Sequence, residues 1–187
     1  MLETFKSATH EALTAIEEEK SIRRTSEVFL LFSLGSQFDH LIKLAMEKLG
    51  VFCLVADPSR ATAGDVRKIN PKGIILSGGP ASMHSESPPF DADILDIGTP
   101  VLGICLGFQL WAKHVGLRVI PASHREFGTH VATISSRTPL FEKCGETMRV
   151  LESHGDRIEP DRVIRVTAST EHAPVAAGEF RHLYGVQ

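Results

Sequence analysis

"PVLGICLGFQLWAKHVG", residues 100–116, sets a cysteine between two glycines where an apolar run stops and a helical pattern begins. The run "PVLGIC" reads as a short strand, and "GFQLWAKHVG" as the helix that follows it. When a strand feeds a helix through so tight a turn, the residue at the apex takes a strained backbone conformation with its side chain exposed. Small neighbours let the chain bend that sharply. Gly103 and Gly107 bracket Cys105 in this way. The first amides of the helix then point at whatever Cys105 binds, and their partial positive charge lowers a thiol pKa and stabilises a developing oxyanion. Two readings fit these residues, a nucleophile on a strand-to-helix turn and a small buried cysteine in a plain α/β loop.

Upstream, short apolar runs alternate with helical patterns. "VFLLFS" from Val28 is a buried strand, "QFDHLIKLAMEKLG" a helix closed by Gly50, and "VFCLVA" a second strand. "ATAGDVRKINP" is a short helix or turn ended by Pro71, and "KGIILSGG" a third strand running into glycines. Apolar runs that do not alternate with polar residues suit strands covered on both faces, which predicts a parallel α/β sheet. Beyond residue 117 the pattern changes to "HVATIS", "MRVLES", "RVIRVTAS" and "PVAAGEF", with turn residues between them and no long helix. An antiparallel or mixed extension follows. Residues 1–27 stand apart: Leu2, Phe5, Ala8, Ala12, Leu13 and Ile16 recur at helical spacing until Glu17, Glu18 and Glu19 end the stripe, which predicts one amphipathic helix joined by a polar connector. The expected organisation is an N-terminal helical extension over 1–27 and one domain over 28–187.

Composition narrows the function. A chain of 187 residues, 42% hydrophobic and 23% charged, is long enough for one domain with a real core. A formal charge of -3 and a pI near 6.3 give no electrostatic reason to expect nucleic acid or an anionic membrane as a partner. Three cysteines, at 53, 105 and 144, without a CxxC spacing argue against a disulfide framework or a metal site and for a reducing, cytoplasmic setting. No apolar signal core opens the chain, and no stretch reaches the roughly 18 apolar residues that a membrane span requires.

A second glycine loop favours the nucleophile. "ILSGGPASM", residues 75–83, ends the third strand, and in a parallel sheet its carboxyl end shares an edge with the end of the fourth, so amides at Gly78 and Gly79 are expected to face the Cys105 sulfur. With this loop, "PVLGICLGFQL", "REFG" (125–128), "TPLF" (138–141), "SHGD" (153–156) and "YGVQ" (184–187) occur in an order and approximate spacing that resemble the class I (triad) glutamine amidotransferase domain of GMP synthases, from about Val28 to the last residue. Related amidotransferases usually carry a histidine before the glutamine that here follows Phe108.

The resemblance implies a flavodoxin-like amidotransferase fold, a central, mostly parallel sheet flanked by helices with an antiparallel C-terminal extension. It implies hydrolysis of L-glutamine through a cysteine thioester, the ammonia passing to a separate ATP pyrophosphatase domain or subunit that aminates XMP to GMP. By the same resemblance Cys105 is the nucleophile, backbone amides near Gly79 and at Leu106 form the oxyanion hole, and Gln109, Ser153, Gly155 and Asp156 line the glutamine pocket. His154 is placed as a structural or pocket residue. No cofactor is implied for this domain; ATP and magnesium belong to the synthetase part. In the family "YGVQ" runs directly into Phe-His-Pro-Glu, which supplies the histidine that activates the cysteine and the glutamate that orients it. The chain given stops at Gln187, before that segment, and no local replacement is evident. A second departure is Ser33-Leu34, where the family has Asp-Phe. A catalytically incomplete binding relative, or a cysteine hydrolase acting on another γ-glutamyl amide, are the alternatives.

Overall fold

Three of the apolar runs form parallel strands. The computed structural model describes residues 4–83 and 89–187, and the chain separates into two units, Met1–Pro80 with Pro88–Val101, and Ala81–Ser87 with Leu102–Gln187. In the first unit β1 (Val28–Phe32) lies between β2 (Phe52–Ala56) and β3 (Gly73–Leu76). The registers run from Val28↔Phe52 to Phe32↔Ala56 and from Phe29↔Gly73 to Phe32↔Leu76. Leu30, Leu31, Phe32, Ile74 and Leu76 are fully buried, as strands covered on both faces require. Gly73 is needed beside Phe29, whose ring carbon Cε1 lies 2.4 Å from where a Cβ would stand.

The connecting helices follow the pattern read from the sequence. α1 (His10–Arg23) opens the set, α2 (Asp39–Lys48) joins β1 to β2, and α3 (Ala63–Ile69) joins β2 to β3. α3 starts in a reciprocal capping box between Thr62 and Asp65 and stops at Asn70 in the left-handed region, φ 51°. A 3-10 turn at Ala92–Asp96, absent from the sequence reading, buries Ile94 and Leu95. At the departure from the family pattern, the Ser33 hydroxyl donates to the Asp39 carboxylate 2.5 Å away, and Leu34 is buried with its amide bonded to Ser77 Oγ at 3.0 Å.

The N-terminal expectation needs correction. Leu2 lies outside the described residues, and the helix starts only at His10, where Thr9 caps it by accepting from the Ala12 amide at 3.2 Å. Phe5 instead forms a parallel bridge to Ala56, with Phe5 N to Val55 O and Asp57 N to Phe5 O both 2.7 Å. The three glutamates lie inside α1, which runs on to Arg23. Of its residues only Ile16 is buried, so the stripe is not the broad apolar face expected.

The second unit holds the antiparallel half. β4 (Val101–Ile104) runs into it and leads through Cys105 to α4 (Leu106–His114). β5 (Val119–Ile134) and β6 (Thr147–Ile158) form a long ribbon, followed by β7 (Arg165–Ser169), β8 (Ala177–Phe180) and β9 (Leu183–Val186), in the spatial order β9-β8-β7-β5-β6. Phe141, Ala168 and Ala177 pack with Ile134, Cys144, Met148 and Val186 in a small core of this unit. An α/β chain with a parallel first half and an antiparallel extension is what the sequence predicted.

Candidate active site

The turn at Cys105 has the geometry its glycines demand. Cys105 is the N-cap of α4 at φ 49°, ψ -105°, a region side chains rarely occupy, and its amide donates to Val186 O of β9 at 2.8 Å. A Cβ on Gly103 would stand 2.6 Å from the carbonyl of Gly107 and from the amide nitrogen of Phe108, so only glycine lets the first turn of the helix settle on the strand. On β9, a Cβ at Gly185 would meet the Phe108 ring at 2.1 Å. The Cys105 turn is thus seated against β9 by two glycines.

The thiol lies half-buried, 3.9 Å from the carbonyl oxygen of Ser153, with the Leu106 amide directed at its sulfur. The expectation that helix-terminus amides lower its pKa is overturned as a net effect. Burial, together with the charges of Glu152 and Asp156, outweighs the Leu106 hydrogen bond and pushes the Cys105 thiol up. This setting favours the thiol over the thiolate. Cys53, buried in β2, is pushed up by desolvation to about 11.

Opposite the sulfur runs "SHGD". Ser153–Asp156 is part of β6, because the polar residues keep pairing with β5. Glu126 faces His154 and Phe127 faces Ser153, and the register breaks between Pro121 and Glu126, where Arg125 folds over Gly155 with Nε 3.5 Å from the position of a Cβ. Three donors converge on one carbonyl, that of Asp156: Gln109 Nε2 at 3.4 Å, Gln187 Nε2 at 3.4 Å and His154 Nδ1 at 3.1 Å. The Asp156 carboxylate accepts from Ser82 Oγ at 2.7 Å. Cys105, Leu106, Gln109, Ser153, Gly155 and Asp156 therefore belong to one neighbourhood of the second unit. Gly79 belongs to the first unit, half-buried on the segment after β3.

His154 stands at the centre of a cluster the sequence reading missed. Its Nε2 lies 3.2 Å from Glu152 Oε2 and 3.3 Å from Glu126 Oε2, and Glu126 is 0% exposed while Glu152 and His154 are each 4% exposed. Burial opposes a charged imidazole, but the contact and charge of Glu152, then the charge of Glu126 and the Asp156 carbonyl, hold the His154 pKa above its ordinary value. Thr170 Oγ1 donates to both Glu126 oxygens at 2.8 Å, and His130 Nδ1 lies 3.4 Å from Glu126 Oε1. A charged residue at a strand position that pairing directs inward was the available signal.

With both nitrogens so engaged, His154 presents neither to Cys105. His-x-Glu spacing does occur in the chain, contrary to the sequence expectation of no local replacement, at His124–Glu126 and at His84–Glu86, the latter outside the described residues. His124 stacks on His172 with ring centroids 4.9 Å apart, and Glu126 is committed to His154 and Thr170, so this pair is no catalytic dyad. Nearby, a cavity of about 520 Å³ is lined by residues that include Ser123, Arg157, Thr170 and His172. Among the described residues no group of three or more His, Cys, Asp or Glu is arranged to hold a metal ion.

A cysteine at positive φ, seated by glycines at a strand-to-helix turn and facing a Ser-His-Gly-Asp strand, matches one family over most of the chain. The model for "Glutamine amidotransferase class-I" fits residues 30–187. This chain belongs to the class-I glutamine amidotransferases. The amidotransferase is 40% identical over 165 residues to the glutamine-hydrolyzing GMP synthase of Caldanaerobacter subterraneus subsp. tengcongensis, covering 86% of this chain and 32% of that one. It is 36% identical over 171 residues to the GMP synthase of Bacillus cytotoxicus, covering 89% and 33%. It thus spans about a third of the length of the curated relatives it matches. Among solved structures, a candidate GMP synthase subunit from Thermoplasma acidophilum aligns with a TM-score of 0.78 at 25% identity, over 86% of this chain and 82% of that one. A glutamine amidotransferase from Thermotoga maritima shares the fold at a TM-score of 0.71 and 21% identity, over 86% and 74%. No described helix is long and apolar enough to cross a membrane.

Proposed function

We propose that the amidotransferase is the glutaminase part of a GMP synthase system, with Cys105 as nucleophile. The observation that carries the reading is the Cys105 turn itself, at φ 49°, with the Leu106 amide on its sulfur and Gln109 and Asp156 fixed beside it. The deprotonated sulfur attacks the side-chain amide carbon of glutamine, and the Leu106 N–H faces the oxygen that gains charge. The C–N bond then breaks, ammonia leaves with a proton from the general acid, and water cleaves the γ-glutamyl thioester to glutamate and free thiol. Gln109, Ser153, Gly155 and Asp156 line the pocket for the amino-acid end of the substrate, where the Asp156 carboxylate suits an ammonium group. Ammonia is consumed by an ATP pyrophosphatase partner that uses ATP and magnesium to aminate XMP.

Because the Cys105 thiol is pushed up, chemistry requires a base. In the family pattern that base is the histidine following the Tyr184–Gln187 stretch. A second reading, a glutamine-binding regulatory relative, is favoured by that raised thiol and by the engagement of both His154 nitrogens elsewhere. A glutaminase assay on the chain alone and on the chain followed by Phe-His-Pro-Glu, each with a Cys105→Ala control, separates the two. The expected result is glutamine binding by both forms, with turnover at least about 100-fold higher in the longer one and abolished in its control. A longer form that binds glutamine but does not turn it over selects the regulatory reading.

A further inference from the structure

His154 makes contacts that only one of its charge states satisfies. Nδ1 faces the carbonyl of Asp156 at 3.1 Å, and Nε2 faces carboxylate oxygens of Glu152 and Glu126 at 3.2 and 3.3 Å, so every neighbour of the ring nitrogens is an acceptor. A neutral imidazole carries one donor and one acceptor nitrogen, and it would turn a lone pair either on the carbonyl or on two buried carboxylates. The imidazolium offers a proton on both sides, in a hydrogen bond to the carbonyl from Nδ1 and as an ion-pair contact without an aligned hydrogen bond from Nε2.

The two carboxylates are not equivalent. Glu126 is held by the Thr170 hydroxyl on both oxygens and has His130 3.4 Å away, so it has partners besides His154. Glu152 Oε2, on a side chain that is 4% exposed, has no aligned hydrogen bond, and His154 Nε2 at 3.2 Å is the cation beside it. Glu152 also acts on Cys105, whose thiolate its charge opposes.

We propose that Glu152 is a positioning residue for glutamine: with Glu126 it holds the His154 ring at Nε2, and the His154 Nδ1 bond to the Asp156 carbonyl then fixes the Ser153–Asp156 strand against Cys105 in its glutamine-binding form. This rests on the glutaminase reading. Glu152 serves binding at some expense of sulfur reactivity, so its removal moves the two in opposite directions. Loss of packing alone would not do this.

The test measures alkylation of Cys105 by iodoacetamide, mapped by mass, with and without glutamine, in the wild-type chain, Glu152→Gln and Glu152→Asp. Expected is a roughly tenfold weaker protection by glutamine in Glu152→Gln, with a two- to threefold faster alkylation in its absence, of the order that a modest fall in thiol pKa produces. Glu152→Asp, which retains the charge, recovers part of both. Protection of the wild type that persists unchanged in Glu152→Gln overturns this assignment and leaves the glutaminase reading standing; a wild type that glutamine does not protect overturns both. Should Glu152→Gln lose its far-UV spectrum, the wild type carries the test. The groups facing His154 are Glu152 on its own strand, Glu126 on β5 and the Asp156 carbonyl; His130 and Thr170 meet Glu126, and Gln109 meets the same carbonyl. Glutamine protection must then fall together with the loss of the His154 proton followed by NMR, and protection independent of that titration overturns the assignment.

Discussion

Cys105 bears a backbone cost that most residues avoid. At φ 49° and ψ -105° a side chain is strained by about 1–3 kcal/mol, a cost glycine escapes. Cys105→Gly should therefore be at least as stable as Cys105→Ala in urea unfolding, reversing the usual order of the two residues; a clearly less stable glycine variant would show that the turn is relaxed. The cysteine and its glycines were readable because a sharp turn needs small residues at fixed offsets. The sign of the thiol's shift was not readable, since the burial of the sulfur, and after it the charges of Glu152 and Asp156, come from tertiary packing. The Glu126–His154 pairing was hidden for the same reason: it depends on a ladder register that a bulge after Pro121 resets.

Elements show the same division between local and long-range signals. β1, β2, β3, α2 and α3 were legible because continuous apolar runs, Gly50 and Pro71 are local signals. The segment from residue 4 to Thr9 was misread as helix because its apolar spacing fits one, whereas the bridge of Phe5 to Ala56 is a tertiary event. Much of β5 lacked alternation and was recognised only over its last third. The corrected N-terminus sharpens one proposal, that residues 1–27 are an appendage on a self-sufficient fold. Phe5 and Ile16 are buried, and Ala8 N donates to Asp65 at 2.9 Å. A chain starting at Glu27 is expected to fold but to lose about 3 kcal/mol from those two side chains, a fall of roughly 10 °C in Tm for a protein of this size. An unchanged Tm would deny the packing, and failure to fold would make the segment part of the core.

For the whole molecule, the buried titratable groups predict a stability that declines on the alkaline side. His154, its folded pKa raised, contributes stability that is present below its unfolded value and is lost as pH rises through the folded one. Cys53 acts in the same direction. Its thiol is held protonated up to about 11 against an ordinary 9.0, so the folded state binds the extra proton between those values and loses about 2–3 kcal/mol across them. Thermal unfolding from pH 7 to 11 should show the decline, and Cys53→Ala should flatten its upper part while lowering stability at neutral pH. A Cys53→Ala profile parallel to the wild type would mean the thiol is not the source.

The seating of α4 on β9 has an optical consequence. The chain holds one tryptophan, Trp111, fully buried in α4 with its indole N–H donating to the Tyr184 carbonyl at 3.0 Å and its ring 4.9 Å from that of Phe108. Its intrinsic fluorescence comes from a single site, on the helix that Cys105 caps and against the strand to which the Cys105 amide is bonded. Emission at short wavelength therefore reports that strand in place, and a red shift reports its release. Every variant and every added ligand can be read without a label for whether the Cys105 turn is still assembled.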